Sequence, residues 1–386
     1  MGERESRKRI AAHFALLPDG VAANPLVTVD TAARRILAVE RYDPATLDSL
    51  AGVEFHPGML VPALVNAHTH LELSALKGSV PQGCGFAGFA AAMAAVRNSF
   101  TREQRMQAAL RADREMFDAG IAAAGDIAND DSVFAVKQEG LVRYKTFCEV
   151  FGINTPNYHR MAQLAAQNPA RCSLTPHSLY SLNDGLLKQL CREGEGVLSV
   201  HFMESPDESL LFEGRGSLRE WFARQGFRAD FLHYDSPAQR LTACVPPDRS
   251  VMLVHCCCVT QKDIDLIMNH FRAPVYWCLC PESNRYISGL QPDVGLLRRN
   301  RLAICLGTDS LASNTSLTMT AELRSFPDVP ADEVLRWATA NGAAALGLDD
   351  GTGLLREGSQ CGLAVVSGID FAAMRLTSKT EIRRLV

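Results

Sequence analysis

Met59-Leu-Val-Pro-Ala-Leu-Val65-Asn66-Ala-His68-Thr-His70 decides how this chain is read. An apolar run of this length reads as a buried strand. Residues i and i+2 of an extended backbone point to one side, so a strand ending in His-x-His offers two imidazoles to one point in space. A divalent metal can be gripped that way at the mouth of a barrel. Taken alone the pair also fits two ordinary histidines, so its meaning depends on what the rest of the chain supplies.

Working outward, short apolar strands alternate with amphipathic helices, the pattern of parallel βα units. Eight stretches read as strands: Met59–Asn66, Ile121–Ile127, Arg143–Val150, Cys172–Pro176, Gly196–His201, Val251–His255, Pro274–Cys278 and Leu302–Leu306. Between them Arg102–Ala119, Asn183–Arg192, Gln261–Phe271 and Ala331–Leu346 read as helices, the first with Thr101 as N-cap and Gly120 just past its end. The expected fold is therefore α/β, a (β/α)8 TIM barrel over 59–349. A doubly wound sheet is the runner-up, but no Gly-x-Gly-x-x-Gly follows an early strand to support a dinucleotide site. Residues 1–58 hold β-like stretches at Arg9–Leu17, Leu26–Val29 and Ile36–Val39, and the style returns after residue 350, in the run Cys361–Ser367. The two ends are expected to form one small β-sandwich domain, 1–58 plus 350–386.

In such a barrel the chemistry lies at the C-terminal ends of the strands. The first strand leads into His68 and His70, the fourth into His177, the fifth into His201-Phe-Met-Glu204, the sixth into His255 and the eighth into Gly307-Thr-Asp309. Each histidine alone could be a core or surface residue. Five following four separate strands form a pattern. His68, His70, His201 and Asp309 make an N/O set suited to Zn, with Fe or Mn as alternatives. A catalytic metal keeps a place for water and lowers its pKa to about 7. Glu204, three residues past His201, is placed to take that proton and pass it to a leaving nitrogen. Its alternative is a solvated loop acid, because Asp207 and Glu208 follow. His255 can hold the water or polarise the reacting bond. No lysine ends the fourth strand to bridge two ions, which argues for one metal.

Composition narrows the rest. The chain has 386 residues, is 47% hydrophobic and carries a net charge of -4. Nothing there implies a basic face, so nucleic acid is not expected as a partner; a small molecule is. No apolar run is long enough to span a membrane and no signal-peptide core follows the charged N-terminus, so no membrane partner is expected. The 12 cysteines mostly sit in apolar runs, as reduced thiols of a cytoplasmic protein do. Cys256-Cys-Cys258 and Cys278-Leu-Cys280 could bind metal or simply fill core. The arginines Arg215, Arg219, Arg224 and Arg228 could cap a pocket or form a solvated face.

With these motifs in order, the chain resembles the amidohydrolase superfamily in its mononuclear deaminase branch. The resemblance rests on Pro62–His70, Pro176–Tyr180, His201–Glu204, Val254-His255 and Gly307–Asn314. It implies His68, His70, His201 and Asp309 as metal ligands, with Asp309 also catalytic, Glu204 as proton shuttle, His255 against the attacking water and His177 against substrate. Gly307-Thr-Asp-Ser with Ser313-Asn314 is similar to deaminases of methylthioadenosine, adenosylhomocysteine and related nucleosides, and to chloro-triazine hydrolases; it adds Ser313 to the substrate-binding residues. His70-Leu-Glu72-Leu-Ser74 is similar to aminofutalosine deaminases, where Glu72 would bind sugar hydroxyls; a structural acid is its other reading. The implied reaction is hydrolytic deamination of an adenine-type nucleoside, with chloride displacement or cyclic-amide opening as alternatives on the same site. A homodimer is also implied. A binding protein that kept the barrel but lost catalysis is the other class, and it is disfavoured because all six chemical positions are filled.

Overall fold

A computed structural model describes residues 6–168, 171–194, 196–360 and 362–386. The first five residues of the charged N-terminus, and Cys361 at the head of the expected C-terminal strand, lie outside them. Eight parallel strands are present: β1 (Leu64–Thr69), β2 (Ile121–Ala128), β3 (Arg143–Val150), β4 (Cys172–Pro176), β5 (Leu198–Phe202), β6 (Val251–His255), β7 (Val275–Leu279) and β8 (Ala303–Leu306). They form two four-stranded sheets, β1 to β4 and β5 to β8, in sequential order. Single parallel bridges join the sheets at both seams, Ser178 with His201 and Thr69 with Asp309. The eight strands therefore close into a ring, and both closures fall at the site. One buried apolar cluster draws Val65, Ile127, Phe147, Val254, Cys278 and Cys305 from six of the strands, as the filled interior of a barrel does.

Helices cover the ring. Arg102–Asp118 starts with a full capping box between Thr101 and Gln104, and Gln261–His270 with one between Thr260 and Asp263. Each box satisfies two N–H groups that a helix start leaves open. No helix of the described residues is long and apolar enough to cross a membrane.

Three expected elements are divided. Met59–Asn66 is two strands: Met59–Pro62 leaves the ring and pairs antiparallel with Leu363–Asp370 and parallel with Phe14–Leu17. Proline has no N–H to give a ladder, and the chain changes sheets at Pro62-Ala63. The helix expected over Ala331–Leu346 breaks into Ala331–Trp337 and Ala340–Ala345. The break lets Gly342 approach β1, where an added Cβ would come within 3.1 Å of the Val65 side chain. Arg9–Leu17 is also two strands, Arg7–Ala11 and Phe14–Leu17, in different sheets.

The chain ends build those two sheets. One holds four strands from residues 7–55; the other joins Phe14–Leu17, Gly20–Ala23 and Met59–Pro62 to the C-terminal Leu363–Asp370 and Arg375–Arg384. Ile10, Val27 and Ile36 of the first pack with Ala15, Leu60 and Val365 of the second in one buried cluster.

Candidate active site

The carboxyl ends of β1, β5, β6 and β8 converge. One ligand atom from each of His68, His70, His201 and Asp309 lies within 4.8 Å of the other three. Asp309 Oδ1 is 3.3 Å from His70 Nε2 and 3.6 Å from His68 Nε2. The ring centroids of His68 and His201 are 5.0 Å apart, and those of His70 and His201 5.5 Å.

Local structure holds each group in place. Asn66, two residues before His68, accepts from Thr308 N (3.1 Å) and donates to the Thr308 hydroxyl (2.7 Å), tying β1 to the turn after β8. Thr308 N and Asp309 N both donate to the His68 carbonyl. Only glycine fits at 307, where a Cβ would sit 2.8 Å from the His68 carbonyl oxygen and side chain. Asp309 has φ 56° and His255 has φ 77°. Non-glycine residues reach that left-handed region at a cost, and such strain concentrates at functional sites. Asp309 Oδ2 accepts from Ser283 (2.6 Å) and Ser313 (2.7 Å), which aims Oδ1 at the imidazoles.

Tautomers follow from the partners. His201 Nδ1 donates to the His177 carbonyl at 2.9 Å, leaving Nε2 for the centre. His255 Nδ1 lies 2.8 Å from Asn284 Oδ1. That oxygen can only accept, so Nδ1 carries the proton and Nε2 faces the site bare. His255 Nε2 is 3.9 Å from Glu204 Oε2. The Glu204 loop is pinned by Glu208, whose carboxylate accepts from Met203 N (3.0 Å) and Glu204 N (2.7 Å).

The electrostatics suit a cation. Burial pulls His70 down to about 4 and His201 well below its ordinary value, so both rings are neutral at pH 7. Burial alone would raise Asp309, but its contacts with His68 and His70 outweigh that and hold it well below the usual carboxylate range. Burial, then the charge of Asp309, pushes Glu204 up to about 8. His68 Nδ1, His68 Nε2 and His70 Nδ1 are buried with no hydrogen-bond partner. Buried polar atoms are rarely left so, and one ring nitrogen from each of His68, His70 and His201 with the Asp309 carboxylate makes a donor set that fits a divalent ion.

Glu149 at the end of β3 was not among the expected site residues. Its Oε1 lies 2.7 Å from His177 Nδ1 and 3.6 Å from His201 Nδ1, and Oε2 accepts from Asn129. Burial would raise its pKa; His177 and the other imidazoles outweigh that and lower it. Its sequence signal is an acid one residue from the end of the strand, behind the apolar pair Phe147-Cys148. Ser283 and Asn284 carry no comparable signal.

The substrate-side expectations come apart. His177 is part-exposed at the mouth, T-shaped against Tyr180 at 6.4 Å. Ser313 is fully buried and its hydroxyl is engaged by Asp309. Glu72 is buried; Oε2 accepts from the N–H groups of Asn129 and Asp130, and Oε1 is 3.6 Å from Arg97 Nη2. Cys256, Cys257, Cys258, Cys278 and Cys280 are free thiols outside the metal-type groupings of the described residues. Arg215 and Arg224 are exposed and paired with Glu213 and Glu220, a solvated face.

The model of the amidohydrolase family matches residues 59–383. The 5-methylthioadenosine/S-adenosylhomocysteine deaminase of Haloarcula marismortui is 28% identical over 393 residues, covering 95% of this chain and 85% of that one. Among solved structures, Helicobacter pylori aminofutalosine deaminase in complex with methylthio-coformycin has a TM-score of 0.79 at 24% identity, covering 93% and 92% of the two chains. The zinc complex of atrazine chlorohydrolase from Arthrobacter aurescens TC1 has a TM-score of 0.72 at 17% identity, covering 92% and 86%. At these identities the two structures speak to the fold alone. The family match spans most of the chain, and with the convergent site it leads to one conclusion: this chain belongs to the amidohydrolase family.

Proposed function

We propose that this protein deaminates an adenine-type nucleoside by hydrolysis, with one divalent ion, Zn first among the choices, held by His68, His70, His201 and Asp309. The observation that carries the reading is the meeting of those four ligand atoms within 4.8 Å, beside a Glu204–His255 pair 3.9 Å apart. A divalent ion supplies a water whose pKa falls to about 7 when bound. Glu204 takes the proton of the attacking water and delivers it to a ring nitrogen. A second transfer through the same carboxyl releases the amine as ammonia. His255 Nε2, bare and held by Asn284, accepts a hydrogen bond from the water and orients it. His177, anchored by Glu149, faces the substrate.

We assign Ser313 to holding Asp309 rather than to substrate, and Glu72 to the floor beneath Arg97. Residues 1–58 with 350–386 are read as a β-sandwich domain, to which Met59–Pro62 lends a strand, and the remainder of 59–349 as the catalytic barrel. The shared apolar cluster supports that division. The free cysteines support a reducing, cytoplasmic setting.

The adenine preference draws on the relatives named for nucleoside deamination. Chloride displacement is the second reading, since the same four-residue group and Glu204 carboxyl would serve it. The test is ammonia release from adenosine, methylthioadenosine, adenosylhomocysteine, aminofutalosine, guanine and cytosine. Release from a nucleoside bears the reading out. Chloride release from a chloro-triazine with no ammonia from any of the six would replace it.

A further inference from the structure

We infer that Arg97 is a specificity-determining residue that binds a carboxylate carried on the sugar side of the substrate; this rests on the nucleoside deaminase reading above. Arg97 follows the helix Gly85–Val96, an apolar helix whose Phe86 lies T-shaped against Tyr180 at the site mouth. From the metal-ligand group outward, three steps reach its guanidinium. His201 stacks near His177 (4.6 Å), His177 lies 6.3 Å from Phe151, and Arg97 sits 6.0 Å over the Phe151 ring. These contacts set Arg97 along one way out of the site, past His177 and Phe151.

The guanidinium is underused. Its side chain is 40% exposed, and among the described residues it makes no side-chain hydrogen bond, only the 3.6 Å ion pair with Glu72. Arg105, which lines the same cleft, is by contrast bonded to Asp130 at 2.9 Å. Glu72 does not answer the Arg97 fork in full, since its Oε2 is already committed to two backbone N–H groups. A planar fork with open donors matches a carboxylate, which accepts two parallel N–H bonds. The groups around the reaction centre are carboxylates and imidazoles, and Arg97, beyond Phe151, offers a positive charge with open donors to an anionic tail.

The test compares kcat/KM for S-adenosylhomocysteine with that for its methyl ester, which differs in the tail charge. Charge-assisted hydrogen bonds of this kind are worth about 10- to 100-fold. Wild type should prefer the acid by about that ratio, Arg97→Ala should bring the ratio near one, and Arg97→Lys should restore part of it. A purely structural loss lowers both substrates together and leaves the ratio unchanged, which would overturn the assignment. So would a wild-type enzyme that deaminates methylthioadenosine but shows no preference for the acid. If wild type releases ammonia from none of these, nor from adenosine, aminofutalosine, guanine or cytosine, the deaminase reading itself fails and this one with it.

Discussion

Replacing Arg240 with methionine tests how the mouth is held. Arg240 is fully buried in the helix Pro237–Cys244, stacked over Phe231 at 3.7 Å. Its Nε and Nη2 donate to Asp184 Oδ1 at 3.1 and 2.8 Å, Nη2 also donates to Leu182 O at 2.8 Å, and Nη1 donates to Leu179 O. Those carbonyls belong to the loop after β4 that carries His177 and Tyr180. Methionine keeps much of the apolar volume and removes every donor. Breaking a buried ion pair by deleting one partner costs about 3–5 kcal/mol, and each stranded carbonyl adds about 1–3 kcal/mol. Asp184 retains the Tyr234 hydroxyl (2.7 Å) and Lys188 (3.1 Å), which offsets part of this. The expected loss is therefore about 3–5 kcal/mol, with a fall in turnover as His177 loosens. Arg240→Lys keeps the charge without the fork and should fall between. Urea unfolding followed by circular dichroism reads the difference. A loss under about 1 kcal/mol for Arg240→Met would refute the claim that this network clamps the loop.

Other substitutions probe the site. Glu204→Gln should keep its metal and lose at least about 100-fold in turnover; undiminished ammonia release with metal intact would remove Glu204 as the proton carrier. Ser283→Ala deletes one of two hydroxyls on Asp309 Oδ2 and should weaken metal binding about 10- to 100-fold, read by chelator competition; an unchanged affinity would make that bond incidental. Glu322 is buried, with its pKa raised from 4.5 to about 8 chiefly by burial. A raised carboxyl contributes stability that is full below about 4.5 and lost as pH rises through about 8. Glu322→Gln should therefore gain on wild type in urea between roughly pH 5 and roughly pH 8.5; parallel changes in both proteins would contradict the assignment.

How much was legible depended on where the signal lay. Apolar runs marked the ring strands closely, and Arg143–Val150, Cys172–Pro176 and Val251–His255 appear with the bounds the sequence suggests. The split at Pro62-Ala63 was hidden because both halves are buried and apolar; only pairing with Leu363–Asp370 and Phe14–Leu17 separates them. The last strand, Arg375–Arg384, is rich in charge and partly exposed at a sheet edge, so it carries no apolar run to read. The four residues that converge, His68, His70, His201 and Asp309, were legible because each follows a strand. Glu149, Ser283 and Asn284 act through residues distant in the chain, and no local pattern announces that. Ser313 was found by motif, but the bond from its hydroxyl to Asp309 became visible only in three dimensions.

Metal analysis joined to X-ray absorption tests the central claim most directly. Wild-type protein loaded with zinc and dialysed should hold one ion per chain, with a first shell of nitrogen and oxygen at about 2.0–2.2 Å and no sulfur, and His201→Ala and Asp309→Ala should lose it. Folded wild type without stoichiometric metal, a shell containing sulfur, or variants that bind as tightly as wild type would contradict the account.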